Sequence, residues 1–184
     1  MIHYLFLGLW LFWLVYWIAR SVGNKRTTTE VNPAWRIATL LCAVALIWGL
    51  RNFPEYFRRR LVPPNDTRAW IGLALTGAGI AFTIWARNAL GRNWSSAPVI
   101  KEGQELIQSG PYALVRHPIY TGLLLAVFGN GLARASIWWV HAFVATFLLF
   151  FWKIRLEEAL MQRQFLEAYP AYRAKTKALI PFLF

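Results

Sequence analysis

Chemistry in this chain is concentrated in two short tracts. The first is Gly110-Pro111-Tyr112, followed by Val115-Arg116-His117-Pro118-Ile119-Tyr120-Thr121-Gly122. Pro118 suits the first turn of a helix, where its missing N–H would have no partner anyway. A helix start also turns free N–H groups toward an anion. With Arg116, His117, Tyr112 and Tyr120 beside it, the tract has the donors to converge on an anionic or zwitterionic ligand. The same residues suit a helix entering a membrane, with Arg116 and His117 as interfacial anchors and the two tyrosines as belt aromatics.

The second tract is Lys153-Ile154-Arg155-Leu156-Glu157-Glu158. Lys153 and Glu157 are spaced as an i, i+4 pair, a contact of small energetic value on an exposed helix. Adjacent carboxylates point about 100° apart on a helix, so one of them can face inward while the other is solvated. An inward-facing Glu next to hydrocarbon is a functional candidate. Other chemistries lack their residues. Cys42 is the single cysteine, so an intramolecular disulfide or a Cys metal cluster is excluded, and no HExxH, Walker loop or GxSxG motif occurs. His3 and His141 stand alone in apolar surroundings and read as packing residues, and Gly77-Ala78-Gly79 reads as helix packing.

The elements that position these tracts follow from composition. Of 184 residues, 58% are hydrophobic, 17% aromatic and only 15% charged, which excludes an ordinary soluble domain. The net charge of +12 then fits basic loops against anionic lipid rather than nucleic acid. Runs free of Asp, Glu, Lys and Arg predict an all-α membrane bundle of five spans: Ile2 to Ala19, Ile37 to Leu50, Ala69 to Ala86, Ile119 to Ala133 and Ala135 to Trp152. The first reads as a retained helix rather than a signal peptide. Arg36 and Arg51 can snorkel at the ends of the short second span, near Trp35 and Trp48. Gly72, Gly77 and Gly79 let a neighbour approach the third, and Asn130-Gly131 before Arg134 predicts a tight hairpin between the fourth and fifth.

One domain is expected, 1–184, with three spans over 1–89, a polar loop at 90–118, the hairpin at 119–152 and a tail at 153–184 that begins as an amphipathic helix. An even number of crossings separates loop and tail, so both belong on one membrane face. Arg20, Lys25, Arg26 and the basic tail place that face in the cytosol, although Arg58-Arg59-Arg60 then falls on the other side.

The two tracts together, with Phe165, Tyr169, Tyr172 and Ile180-Pro181, resemble the isoprenylcysteine carboxyl methyltransferase family from Asn93 to the C-terminus, about half the chain. The resemblance implies an integral membrane enzyme that uses S-adenosylmethionine without a Rossmann domain. The cofactor would lie in a pocket closed by the loop and the tail, and a lipophilic or prenylated substrate would enter from the bilayer. Carried over by motif, the cofactor contacts are Gln104, Glu105, Leu106, Ile107, Tyr112, His117, Pro118, Ile119, Tyr120 and Glu157, with Gln104 to Ile107 matched only by their spacing before Tyr112. Lys153 and Glu157 would be the catalytic and substrate-binding pair. Lys153 stands where the family has an Arg, which replaces a bidentate grip on a carboxylate by a point charge. Rival readings are a phospholipid or other amine N-methyltransferase, a sterol-reductase-like enzyme using NADPH, and a nonenzymatic membrane protein.

Overall fold

The computed structural model describes residues 1–28 and 33–181. Its elements are α1 (Ile2–Ser21), α2 (Pro33–Asn52), α3 (Pro54–Arg58), α4 (Asp66–Leu90), a 3-10 turn (Gly91–Asn93), α5 (Pro111–Leu114), α6 (Pro118–Arg134), α7 (Ile137–Gln164) and α8 (Ala168–Lys175). The fold is an all-α integral membrane bundle. Among the described residues four helices are long and apolar enough to span: α1, α2, α4 and α7. The expected fourth span corresponds to α6, whose 17 residues extend about 25 Å and fall short of a hydrocarbon core of roughly 30 Å.

Small residues explain the centre of the bundle. On α4, Gly72 and Gly79 lie two turns apart, and on antiparallel α6 so do Gly122 and Gly129. A Cβ on Gly79 would sit 2.5 Å from the Gly122 carbonyl, and one on Gly129 would sit 2.6 Å from that of Gly72, so the two backbones are in contact. Thr76 lies between these crossings, its hydroxyl donating to Gly72 O at 2.8 Å and to Ala126 O at 3.2 Å. Gly77 does not belong to this seam. It faces α1, with Leu9 4.0 Å away.

Helix α1 packs on α4 through Trp13, whose indole N–H donates to Thr83 Oγ1 at 3.1 Å, and Tyr16, whose hydroxyl donates to Asn88 at 2.7 Å. Helix α2 lies at the periphery, with Trp35 against Trp152 of α7 at 5.5 Å between ring centroids. Their remaining apolar faces, Leu11 and Val15 of α1 and Leu40 and Val44 of α2 among them, are exposed, as lipid-facing helices require. Cys42 shares that exposure.

The amphipathic helix expected from Lys153 onward continues directly from the fifth span. Helix α7 runs unbroken from Ile137 to Gln164, about 42 Å, and the amphipathic segment is its last turns rather than a separate element. Lys153 and Ile154 are buried within it, so nothing there favours a stop. The hairpin between α6 and α7 is as tight as Asn130-Gly131 implied, with Ala135 at φ 45° closing α6.

Candidate active site

Residues 91–117 and the tail meet at the end of the bundle where α1, α4 and α7 finish and α6 begins. The loop is held from one side by the α1–α2 connection. Lys25 N–H donates to Arg92 O at 3.0 Å, Thr28 N–H to Ile100 O at 2.9 Å, and Glu102 N–H to Arg26 O at 2.9 Å. From the other side the tail adds a short parallel pairing, in which the N–H groups of Arg116 and His117 donate to Lys177 O at 2.8 Å and Ala178 O at 3.0 Å. Gly110, at φ 60°, makes the turn into α5 that only glycine adopts without strain. Tyr112 follows in α5, and its carbonyl accepts the Tyr172 hydroxyl of α8 at 2.6 Å.

These contacts enclose a cavity with about 830 Å³ of unfilled space, counted out to its mouth. Its walls include Gln104, Glu105, Leu106 and Ile107 from the loop, Tyr112, then His117, Ile119 and Tyr120 at the start of α6, and Glu157 of α7. Pro118 is fully buried in the first turn of α6 and Lys153 is not part of the wall. Glu105 reaches the rim, with its carboxylate 3.6 Å from Lys25.

The two adjacent glutamates divide as helix geometry requires. Glu158 is buried. Its Oε1 accepts Arg116 Nε at 2.8 Å, with Arg116 Nη2 also at 2.8 Å and His117 Nε2 at 3.3 Å. Arg116 also donates to the carbonyls of Thr176 and Arg173. Arg116 also lines the cavity, with its guanidinium engaged by Glu158 and by tail carbonyls, so that it ties α7 to the tail. Glu157 faces the cavity. Its Oε1 accepts the Tyr120 hydroxyl at 2.6 Å, and its Oε2 lies 3.6 Å from His117 Nδ1. Lys153 Nζ is 3.8 Å from Glu157 and donates to Ser96 O at 2.8 Å, flanked by the rings of Trp35 at 5.5 Å and Tyr120 at 5.2 Å.

The electrostatics follow from these neighbours. Burial disfavours charge on His117, but hydrogen bonding and attraction to Glu157 and Glu158 outweigh it, so its pKa is raised and the imidazolium is favoured. Burial pushes the Tyr112 phenol well above its ordinary range and that of Tyr172 up to about 12, so both remain neutral donors.

Two wall features, Asn93 and Trp94, were not singled out in the sequence, and a third, Tyr169, entered only through the family resemblance. Asn93 Oδ1 and the Tyr169 hydroxyl are buried in the wall without a hydrogen-bond partner among the described residues. Trp94 is held by buried Arg87, whose guanidinium lies 4.8 Å over its ring and donates to Gly91 O, Arg20 O and Asn24 Oδ1. Arg87 follows an apolar run directly, so it resembles a snorkelling span end. Asn93 sits in a polar loop with nothing to distinguish it. A cavity with aromatic walls, an acidic Glu157 and two unpaired buried polar atoms fits a ligand that is part aromatic and part zwitterionic, the chemistry of S-adenosylmethionine. Among the described residues no group of three or more His, Cys, Asp or Glu side chains is placed to hold a metal.

Comparisons with known proteins agree with this architecture. A solved structure of the eukaryotic intramembrane Ras methyltransferase, an isoprenylcysteine carboxyl methyltransferase, superposes with a TM-score of 0.58 at 22% identity, over 85% of this chain and 55% of that one. The chain is 29% identical over 151 residues to the nickel-cobalt-cadmium resistance protein NccN of Alcaligenes xylosoxydans xylosoxydans, which covers 81% of this chain and 63% of that protein. It is 24% identical over 168 residues to the cobalt-zinc-cadmium resistance protein CzcN of Cupriavidus metallidurans, covering 90% and 70%. This chain therefore spans less than two thirds of NccN and just over half of the solved methyltransferase. The family model described as phospholipid methyltransferase matches residues 67–168, from α4 through the loop, α6 and α7 to the first residue of α8. With more than half of its length matched, including most of the walls of this cavity, the chain belongs to the phospholipid methyltransferase family.

Proposed function

We propose that this membrane methyltransferase uses S-adenosylmethionine and that its acceptor is the carboxylate of an isoprenylcysteine-like lipid. One observation carries the reading: Tyr120 and Glu157 stand between a cavity suited to the cofactor and a buried cation, Lys153, that faces Trp35 of lipid-exposed α2. Asn93, Tyr169, Glu157 and the 104–107 segment would hold the cofactor. When bound, it supplies an electrophilic methyl group that passes to the acceptor oxygen while the sulfur keeps the bond pair.

Such an in-line displacement needs alignment and exclusion of water more than acid or base strength. A carboxylate acceptor is already ionised near neutral pH. Lys153 orients it as a point charge, and Glu157 fixes Lys153. Tyr120, stacked on Phe150 with centroids 4.6 Å apart, holds Glu157 in place. The site end faces the cytosol in this reading. Arg51, Arg58, Arg59, Arg60, Arg68 and Arg134 lie at the far end and every other Lys and Arg at the site end, the bias that sets orientation.

A second reading, methylation of a lipid amine, is favoured by Glu157 itself: it is in the cavity wall where Lys153 is not, and an amine acceptor must lose a proton to a base. Incubating membranes with labelled S-adenosylmethionine and comparing farnesylcysteine analogues with phosphatidylethanolamine separates the two. The carboxylate reading predicts label on the prenylcysteine, kept by Lys153→Arg and cut at least tenfold by Lys153→Ala. Label on the amine lipid alone, with Lys153→Ala as active as the parent protein, would overturn it.

A further inference from the structure

A second cleft lies at the other end of the bundle, where two connections meet. The residues after α3 are tied to the α6–α7 turn, with Leu61 N–H donating to Ala135 O at 2.7 Å and Ile137 N–H to Arg59 O at 3.0 Å. The junction leaves about 1010 Å³ of unfilled space, counted out to its mouth, between Arg58, Arg60 and Arg134 on one hand and Phe57, Trp138 and Trp139 on the other. Arg134 is braced there, its Nε donating to buried Asn130 at 3.3 Å and its guanidinium 5.8 Å over the Trp139 ring.

None of the ion pairs among the described residues includes Arg58, Arg60 or Arg134. Three guanidinium groups sharing a cleft repel one another, and an anion between them relieves that repulsion. Their planar forks match phosphate oxygens better than they match a spherical ion. Phe57 of this aromatic wall comes from α3 and the two tryptophans from the first turn of α7, the end of a spanning helix, where Trp rings favour the level of lipid headgroups. A small soluble anion has no use for such a wall, whereas a phosphate attached to glycerol and acyl chains does.

We propose that this cleft binds the phosphodiester headgroup of an anionic phospholipid, in the leaflet opposite the catalytic cavity. The binding is independent of the methyl-transfer reading. The test titrates purified protein in neutral detergent with phosphatidylglycerol, phosphatidylcholine or inorganic phosphate, and follows thermal unfolding and the lipid retained in native mass spectra. A ligand that prefers the folded state raises the melting temperature. Phosphatidylglycerol should raise it and stay bound, with each of Arg58→Gln, Arg60→Gln and Arg134→Gln weakening apparent affinity about fivefold. Arg163→Gln with Lys175→Gln, which removes two cations from the other end, should leave the response unchanged. Arg134→Lys keeps the charge and loses the fork, so it should weaken lipid retention even where a triple variant does not fold. An equal response to phosphatidylcholine or to inorganic phosphate, or an unchanged response in the arginine variants, would overturn the proposal.

Discussion

Glu157 and Glu158 are neighbours in sequence with separate work. Glu158 is buried against Arg116, and the pair joins α7 to the strand of tail that covers the site. Removing one partner of a buried ion pair costs about 3 kcal/mol, because the other charge is left uncompensated. Glu158→Gln should therefore lower the melting temperature by several degrees, whereas Glu157→Gln should leave it near that of the parent and weaken binding of S-adenosylhomocysteine. Thermal unfolding and calorimetric titration of both variants measure the split, and equal losses of stability would contradict it. His117 adds a pH signature. Its pKa is raised from 6.5, so its contribution to stability is present in full below that value and is lost as pH rises through the raised one. Melting temperatures recorded upward from pH 6 should fall through that window in the parent protein, and His117→Gln should flatten the fall.

The α4–α6 seam is the element that fixes where His117 and Tyr120 emerge. A Cβ on Gly122 would meet Gly79 O at 2.6 Å and Thr83 Cγ2 at 2.7 Å, so Gly122→Ala should destabilise the protein by about 1–3 kcal/mol. Gly77 has only Leu9 at 4.0 Å, so Gly77→Ala should be neutral or stabilising by its helix propensity. Comparing the two in one detergent checks the seam, and a larger loss from Gly77→Ala would contradict it. The seam shows what was legible. Apolar runs and glycines located α4 and α6 to within a few residues, because a span must be apolar and a close crossing must be small. The partner of each glycine was not legible, since a glycine pattern does not say which face meets which helix. Nor was the unbroken α7, because Lys153 and Glu158 read as a span end while buried partners keep them inside the helix. The tracts at 110–122 and 153–158 were legible because their residue types are costly near hydrocarbon. Asn93 was not, because burial alone makes its polar atom notable, and Tyr169 stood out only through the family resemblance, with no role attached to its hydroxyl.

At the scale of the whole molecule, one end of an apolar bundle carries the enclosed cavity. Helices α1 and α2 precede the stretch matched by the family model, yet the connection between them is hydrogen-bonded to residues 92–102 of the site loop. They contribute to the site through that tie as well as anchoring the chain in lipid. Whether the cavity under the loop and tail holds S-adenosylmethionine, as proposed, is decided by calorimetric titration of the folded, detergent-solubilised protein with S-adenosylhomocysteine. Binding should be saturable and one-to-one, weakened at least tenfold by Asn93→Leu and by Tyr120→Phe and unaffected by His141→Ala, whose ring packs between Tyr56 and Phe57 at the far end of α7. Absence of binding to folded protein, or equal loss from His141→Ala, would contradict the proposal.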